Sequence, residues 1–176
     1  HHEFGRCLGG PLMSSEGKRN IRYYWEDMQP GSERDLGTIT PTREEIIAFA
    51  SQFDPQPFHL DDEAAKASVF GGLCASGWHT CSMAMRLMVT NFLHEAASLG
   101  SPGLENVQWK KPVKPNDTLH LTHKILESRA MRSKPDVGLV RTQWVMHNQH
   151  GDCVLQMEGW GMFRRRHPAA ATANTD

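Results

Sequence analysis

Past Gly103 the apolar residues of this chain stop recurring every three or four positions and begin to alternate, and that change of period limits the possible fold most. Leu119, Leu121, His123 and Ile125 share one parity, as do Val140, Thr142, Trp144 and Met146, the two-residue period of strands with one face buried. Strands are expected over Asn106 to Pro112, Thr118 to Arg129, Gly138 to Asn148 and Cys153 to Arg165. Lys114-Pro115-Asn116-Asp117 reads as a turn and Asn148-Gln149-His150-Gly151-Asp152 as a hairpin loop. Together they make one antiparallel sheet with an apolar face that something must cover. The cover is the longest helical pattern in the chain, Trp78 to Ser98. There Trp78, Cys81, Met85, Met88, Phe92 and Ala96 recur at helical steps, and Met83, Leu87 and Val89 widen the stripe. A helix so apolar is expected to be buried, with Trp78 in the core, and Leu99-Gly100-Ser101-Pro102-Gly103 reads as its stop. The class is therefore α+β, a sheet around a long central helix.

Upstream, Tyr23-Tyr24-Trp25 suggests a short strand or a docking segment ended by Pro30-Gly31, and Leu36 to Ile39 a second short strand. Thr42 with Glu45 three residues on is a capping box at the head of an apolar stripe of Ile46, Ile47, Phe49, Ala50 and Phe53. That helix delivers the chain to Asp54-Pro55-Gln56-Pro57-Phe58-His59. Each proline fixes its own φ and pushes the residue before it towards extended geometry, so Asp54 and His59 are held five residues apart in a stiff bend. A carboxylate and an imidazole that converge can move a proton between water and a substrate carbon. A capping Asp and a surface His fit the same pattern. Asp61 reads as the cap of a short helix closed by Gly71-Gly72.

The chain has 176 residues and a formal net charge of −1, enough for one domain with a substantial core and without a global pull towards nucleic acid or an anionic membrane. Residues 1–12 resemble a histidine tag and linker, with Met13 as a native start, 13–21 as a flexible lead, 22–167 as the domain and 168–176 as a disordered tail. No segment reads as a signal peptide or a membrane span, and a cytoplasmic location is expected. Cys74, Cys81 and Cys153 lack metal-ligand spacing and read as reduced, buried thiols. His120 and His123 fall on opposite faces of a strand, so no metal site is expected.

Several ordered motifs then coincide. Asp54-Pro55-x-Pro57-x-His59-x-Asp61, Phe70-Gly71-Gly72-Leu73, Ala75-Ser76-Gly77, Gly103 to Trp109, Lys111 to Thr118 and Asn148 to Gly151 together resemble the MaoC-like (R)-specific enoyl-CoA hydratases of the hot-dog fold, over roughly residues 22 to 166. The resemblance implies a single hot-dog domain and addition of water across a trans-2-enoyl thioester, or its reversal. It places Asp54 and His59 as the catalytic carboxylate and imidazole, and Gly77 as the backbone N–H donor to the thioester oxygen. It implies no cofactor beyond coenzyme A as substrate carrier, a place in fatty-acid metabolism, and a homodimer or higher homo-oligomer. Many members carry His before that glycine, where this chain has Ser76, and many present a hydroxyl farther into the helix, for which Thr80 and Ser82 are the nearest here. Residues gripping coenzyme A are left open among Lys110, Lys111, Lys114 and Arg164 to Arg166, which a solvated basic face explains equally well. A hot-dog thioesterase and a non-catalytic acyl-CoA-binding protein are the alternatives.

Overall fold

The computed structural model describes residues 19–169. The expectations for residues 1–12, for most of the lead and for the tail beyond Ala169 lie outside the described residues. Five strands form one antiparallel sheet: β1 (Glu33–Ile39), β2 (Ser98–Trp109), β3 (Leu119–Ala130), β4 (Val137–His147) and β5 (Cys153–Arg164), in the order β1-β3-β4-β5-β2. Three helices accompany it: α1 (Arg43–Phe53), α2 (Asp62–Lys66) and α3 (Gly77–Asn91). The alternation read in the sequence sets the register, with Leu121 opposite Met146 and Met146 opposite Leu155, so that their side chains share one face. Against that face α3 buries Met83, Ala84, Leu87 and Met88, and Leu36, Leu119, Ile125, Val140 and Met157 complete the cluster. Burial of such side chains, each stabilising by about 1.5–3 kcal/mol, is what holds helix to sheet. Among the described residues no helix is long and apolar enough to cross a membrane.

Three local expectations need correction. Helix α3 ends at Asn91 and not near Ser98, because Phe92 leaves helical geometry (φ −153°) and packs its ring on Tyr23 at 5.3 Å and edge-on to His123 at 5.1 Å. The segment read as a helix stop lies inside β2, where Gly100 and Gly103 take positive φ and mark register shifts against β5. The glycines bend a strand, and Pro102 is tolerated because β2 is an edge. Finally, α3 is not buried all round. Trp78 is 60% exposed, and Met85 and Val89 are also exposed, alongside Leu99, Leu104 and Trp109 of β2. The apolar surface of this helix is wider than one sheet face covers.

Of the two readings of Tyr23-Tyr24-Trp25, docking fits. Tyr23 makes an isolated bridge to Ala96, and Trp25 opens a 3-10 turn with its indole N–H donating to Leu139 O at 3.3 Å. Trp25 lies on Gly138, where a Cβ would clash with the indole ring. Gly138→Ala is expected to cost about 1–3 kcal/mol by overpacking, read as a lower midpoint in urea. An unchanged midpoint would mean that Trp25 is not seated there.

Candidate active site

Helix α1 begins as its sequence directs: Thr42 Oγ1 accepts from Glu45 N–H at 3.1 Å, and the Glu45 side chain reaches back to Thr42. It ends with Asp54 as C-cap, whose N–H donates to Ala50 O at 2.8 Å. Pro55 cannot continue the helix, and Pro57 heads a 3-10 turn, Pro57–His59, that turns the imidazole inward. The bend thus brings the two side chains together: Asp54 Oδ2 lies 3.4 Å from His59 Nε2, with the His59 side chain 7% and the Asp54 side chain 17% exposed. The short helix that follows is capped by Asp61, whose carboxylate accepts from Ala64 N–H at 2.9 Å, so Asp61 is committed to structure.

Each group has a defined partner set. His59 Nδ1 sits 2.6 Å from the Cys74 carbonyl. A carbonyl only accepts, so the proton of the neutral imidazole belongs on Nδ1, leaving the Nε2 lone pair beside Asp54. The carboxylate is held at both oxygens, by Gln56 Nε2 on Oδ1 and by Ser76 Oγ on Oδ2, each at 2.7 Å. Burial pushes the Asp54 pKa up, but the hydrogen bonds from Ser76 and Gln56 outweigh it, joined by the field of His59 whenever that ring carries a second proton, and hold it below the ordinary value. Asp54 is an anion at neutral pH and can accept a proton. The Cys74 thiol comes within 3.7 Å of His59 Nδ1, yet burial, with the Asp54 charge adding, pushes it up to about 11, so it stays protonated.

Gly77 is the first residue of α3, directly after the N-cap Ser76, so its N–H belongs to the first-turn donors that a helix leaves unsatisfied at the positive end of its dipole. The Trp109 indole lies over this glycine and donates to Gly77 O at 2.9 Å. A Cβ on Gly77 would meet the ring at 2.5 Å, so only glycine permits this approach. Asp54, His59 and Gly77 line a single cleft of about 500 Å³, with Phe58, Phe70, Trp78, Trp109 and Val113 as its apolar walls.

The other candidate residues, and His79 on α3 beside them, separate. Trp78 stands in the cleft wall rather than the core. His79 lies buried, stacked on Phe49 at 4.7 Å, and burial lowers its pKa. Thr80 Oγ1 bonds Ser76 O at 3.4 Å and Ser82 Oγ bonds Trp78 O at 2.8 Å, so neither hydroxyl is directed to Asp54. Lys110 and Lys111 line the cleft, with Lys111 paired to Asp152 at 3.1 Å. Arg166 instead ties to Asp27 at 2.7 Å and Arg165 lies over Trp25, which makes them part of the docking of residues 22–28. Ser76 was visible as a departure from a pattern, but nothing local marked it as a partner of Asp54. His120 pairs with Asp35 at 2.8 Å, while His123 points into the core, on opposite faces as the odd spacing requires.

The chain as a whole is similar to known proteins. The profile of the family described as MaoC like domain matches residues 27–146. The crystal structure of a MaoC-like dehydratase from Rhodospirillum rubrum is similar at 39% identity, with a TM-score of 0.77, over 83% of this chain and 99% of that one. The protein MaoC of Klebsiella aerogenes is 32% identical over 113 residues, 64% of this chain but 33% of its own length, so the chain spans about a third of that relative. The unliganded R-hydratase PhaJ1 of Pseudomonas aeruginosa shares the fold, with a TM-score of 0.66 at 22% identity over 81% of this chain and 86% of that one.

Proposed function

The chain belongs to the MaoC-like domain family of hot-dog dehydratases, and from that premise we propose that it is a hydro-lyase acting on a trans-2-enoyl-CoA or, in reverse, an (R)-3-hydroxyacyl-CoA. The observation that carries this reading is the meeting of an ionised Asp54 and a tautomer-fixed His59 in one cleft with the free N-terminus of α3.

Hydration of an enoyl thioester needs three things: a held water, a proton acceptor for it, and a donor for the carbonyl oxygen as it turns negative. A water between Asp54 and His59 Nε2 faces two acceptors and no competing donor, so its oxygen lone pair points away, towards the substrate. As that oxygen bonds to C3, its proton passes to Asp54, with His59 Nε2 sharing the transfer, and the C2–C3 π electrons move onto the thioester as an enolate. The Gly77 N–H stabilises the enolate oxygen. Returning the proton to C2 gives the 3-hydroxyacyl thioester and restores both residues. Dehydration runs the same steps backwards. The chemistry requires no prosthetic group, and coenzyme A enters as the carrier of the acyl group.

A homodimer is part of this reading. The unpaired edge of β2 and the apolar face of α3 with Trp78, Met85 and Val89 need a cover, and a second copy supplies a matching one. Sedimentation at micromolar concentration is expected to give a dimer or larger species, and a monomer alone would contradict it.

The activity test uses a panel of trans-2-enoyl-CoA esters with straight, branched, aromatic and dicarboxylic acyl groups, followed for enoyl absorbance and for free thiol. Loss of absorbance with the thioester intact is expected for at least one. Thiol release without hydration would instead make the protein a thioesterase, and tight binding with neither signal a binding protein.

A further inference from the structure

Serine at a helix N-cap ordinarily turns its side chain back to accept from an N–H of the first turn, an arrangement worth about 1 kcal/mol. Two other helices of this chain are capped in that way, by Thr42 and by Asp61. At the head of α3, Ser76 makes no such bond. It is fully buried, so water cannot satisfy its hydroxyl, and the proton goes to Oδ2 of Asp54 at 2.7 Å, 22 residues away in the chain.

We propose that Ser76 is a positioning residue for Asp54: it holds Oδ2 in the cleft and, by directing its hydroxyl away from its own helix, leaves the first-turn N–H groups of α3 open to a substrate oxygen. Two observations support the pairing of these effects. The carboxylate has one protein donor on each oxygen, Gln56 on Oδ1 and Ser76 on Oδ2, which fixes its plane while leaving lone pairs for water. Of the two donors only Ser76 is buried, so only its bond is shielded from exchange with solvent. The adjacent Gly77 then sets donor and base side by side: one residue aims the carboxylate, and the next presents the N–H.

The catalytic half of this inference rests on the hydro-lyase reading, whereas the effect on the Asp54 carboxyl does not. Ser76→Ala is expected to lower kcat about tenfold or more with little change in KM, since a bond to a charged group is lost. It also moves the acidic limb of the kcat/KM profile to higher pH, because a donor to the charged form has gone while burial remains. Ser76→Cys, close in size but a weak donor, should fall between and carries the same test if the alanine variant does not fold. In parallel, NMR titration of the Asp54 carboxyl carbon should shift upward in both variants whether or not any thioester is turned over. An inactive wild type with a shifted titration would sink the reaction and keep the Ser76 role. A lower melting temperature with titration and pH profile unchanged would show an ordinary structural serine and overturn the proposal.

Discussion

Asp54→Asn is expected to lower hydration of an enoyl-CoA ester by about 10³-fold while leaving the melting temperature close to that of the wild type. The amide fills the same space and its oxygen still accepts from Ser76, so packing survives, but the group no longer takes a proton from water. His59→Ala is expected to lose activity on a similar scale with a different signature. It removes the donor to the buried Cys74 carbonyl, so about 1–3 kcal/mol of stability goes with it. Initial rates and thermal unfolding on the same samples separate the two. Activity within tenfold of wild type in either variant would remove that residue from the mechanism.

The second large effect concerns stability in acid. His123 lies in the core against Phe92, with Arg34 of β1 nearby, and burial, with the Arg34 charge adding, lowers its pKa to about 4 from 6.5. The folded pKa is depressed, so above 6.5 neither state is protonated and His123 contributes no pH dependence. As pH falls from 6.5 to about 4, the unfolded chain takes up a proton that the native chain refuses, and up to about 3 kcal/mol of stability is lost. Below that window the loss levels off. Urea unfolding across the window should show this slope in the wild type and a flatter one in His123→Leu. Equal slopes would mean that His123 takes its proton without unfolding.

What could be read from residues alone follows the range of the interactions. The capping box at Thr42, the proline bend that joins Asp54 to His59 and the hairpin at 148–152 depend on neighbours within a few positions, and the structure has them. The parity of β3 and β4 was legible because each has one face buried against α3. The end of α3 was not, since Leu93 and Ala96 continue the helical period and only the packing of Phe92 on Tyr23 and His123 breaks it. Nor was the exposure of Trp78: periodicity records which residues are apolar and is silent about what covers them. The tie from Ser76 to Asp54 spans 22 residues and exists only once α1 and α3 are placed side by side.

The most direct test is turnover in heavy-oxygen water, with the label located by mass spectrometry. A hydro-lyase working through Asp54, His59 and Gly77 puts the label on the C3 hydroxyl of a thioester that is still intact, and Asp54→Asn removes that product. Label in a free carboxylate beside free coenzyme A, with none on C3, would contradict it.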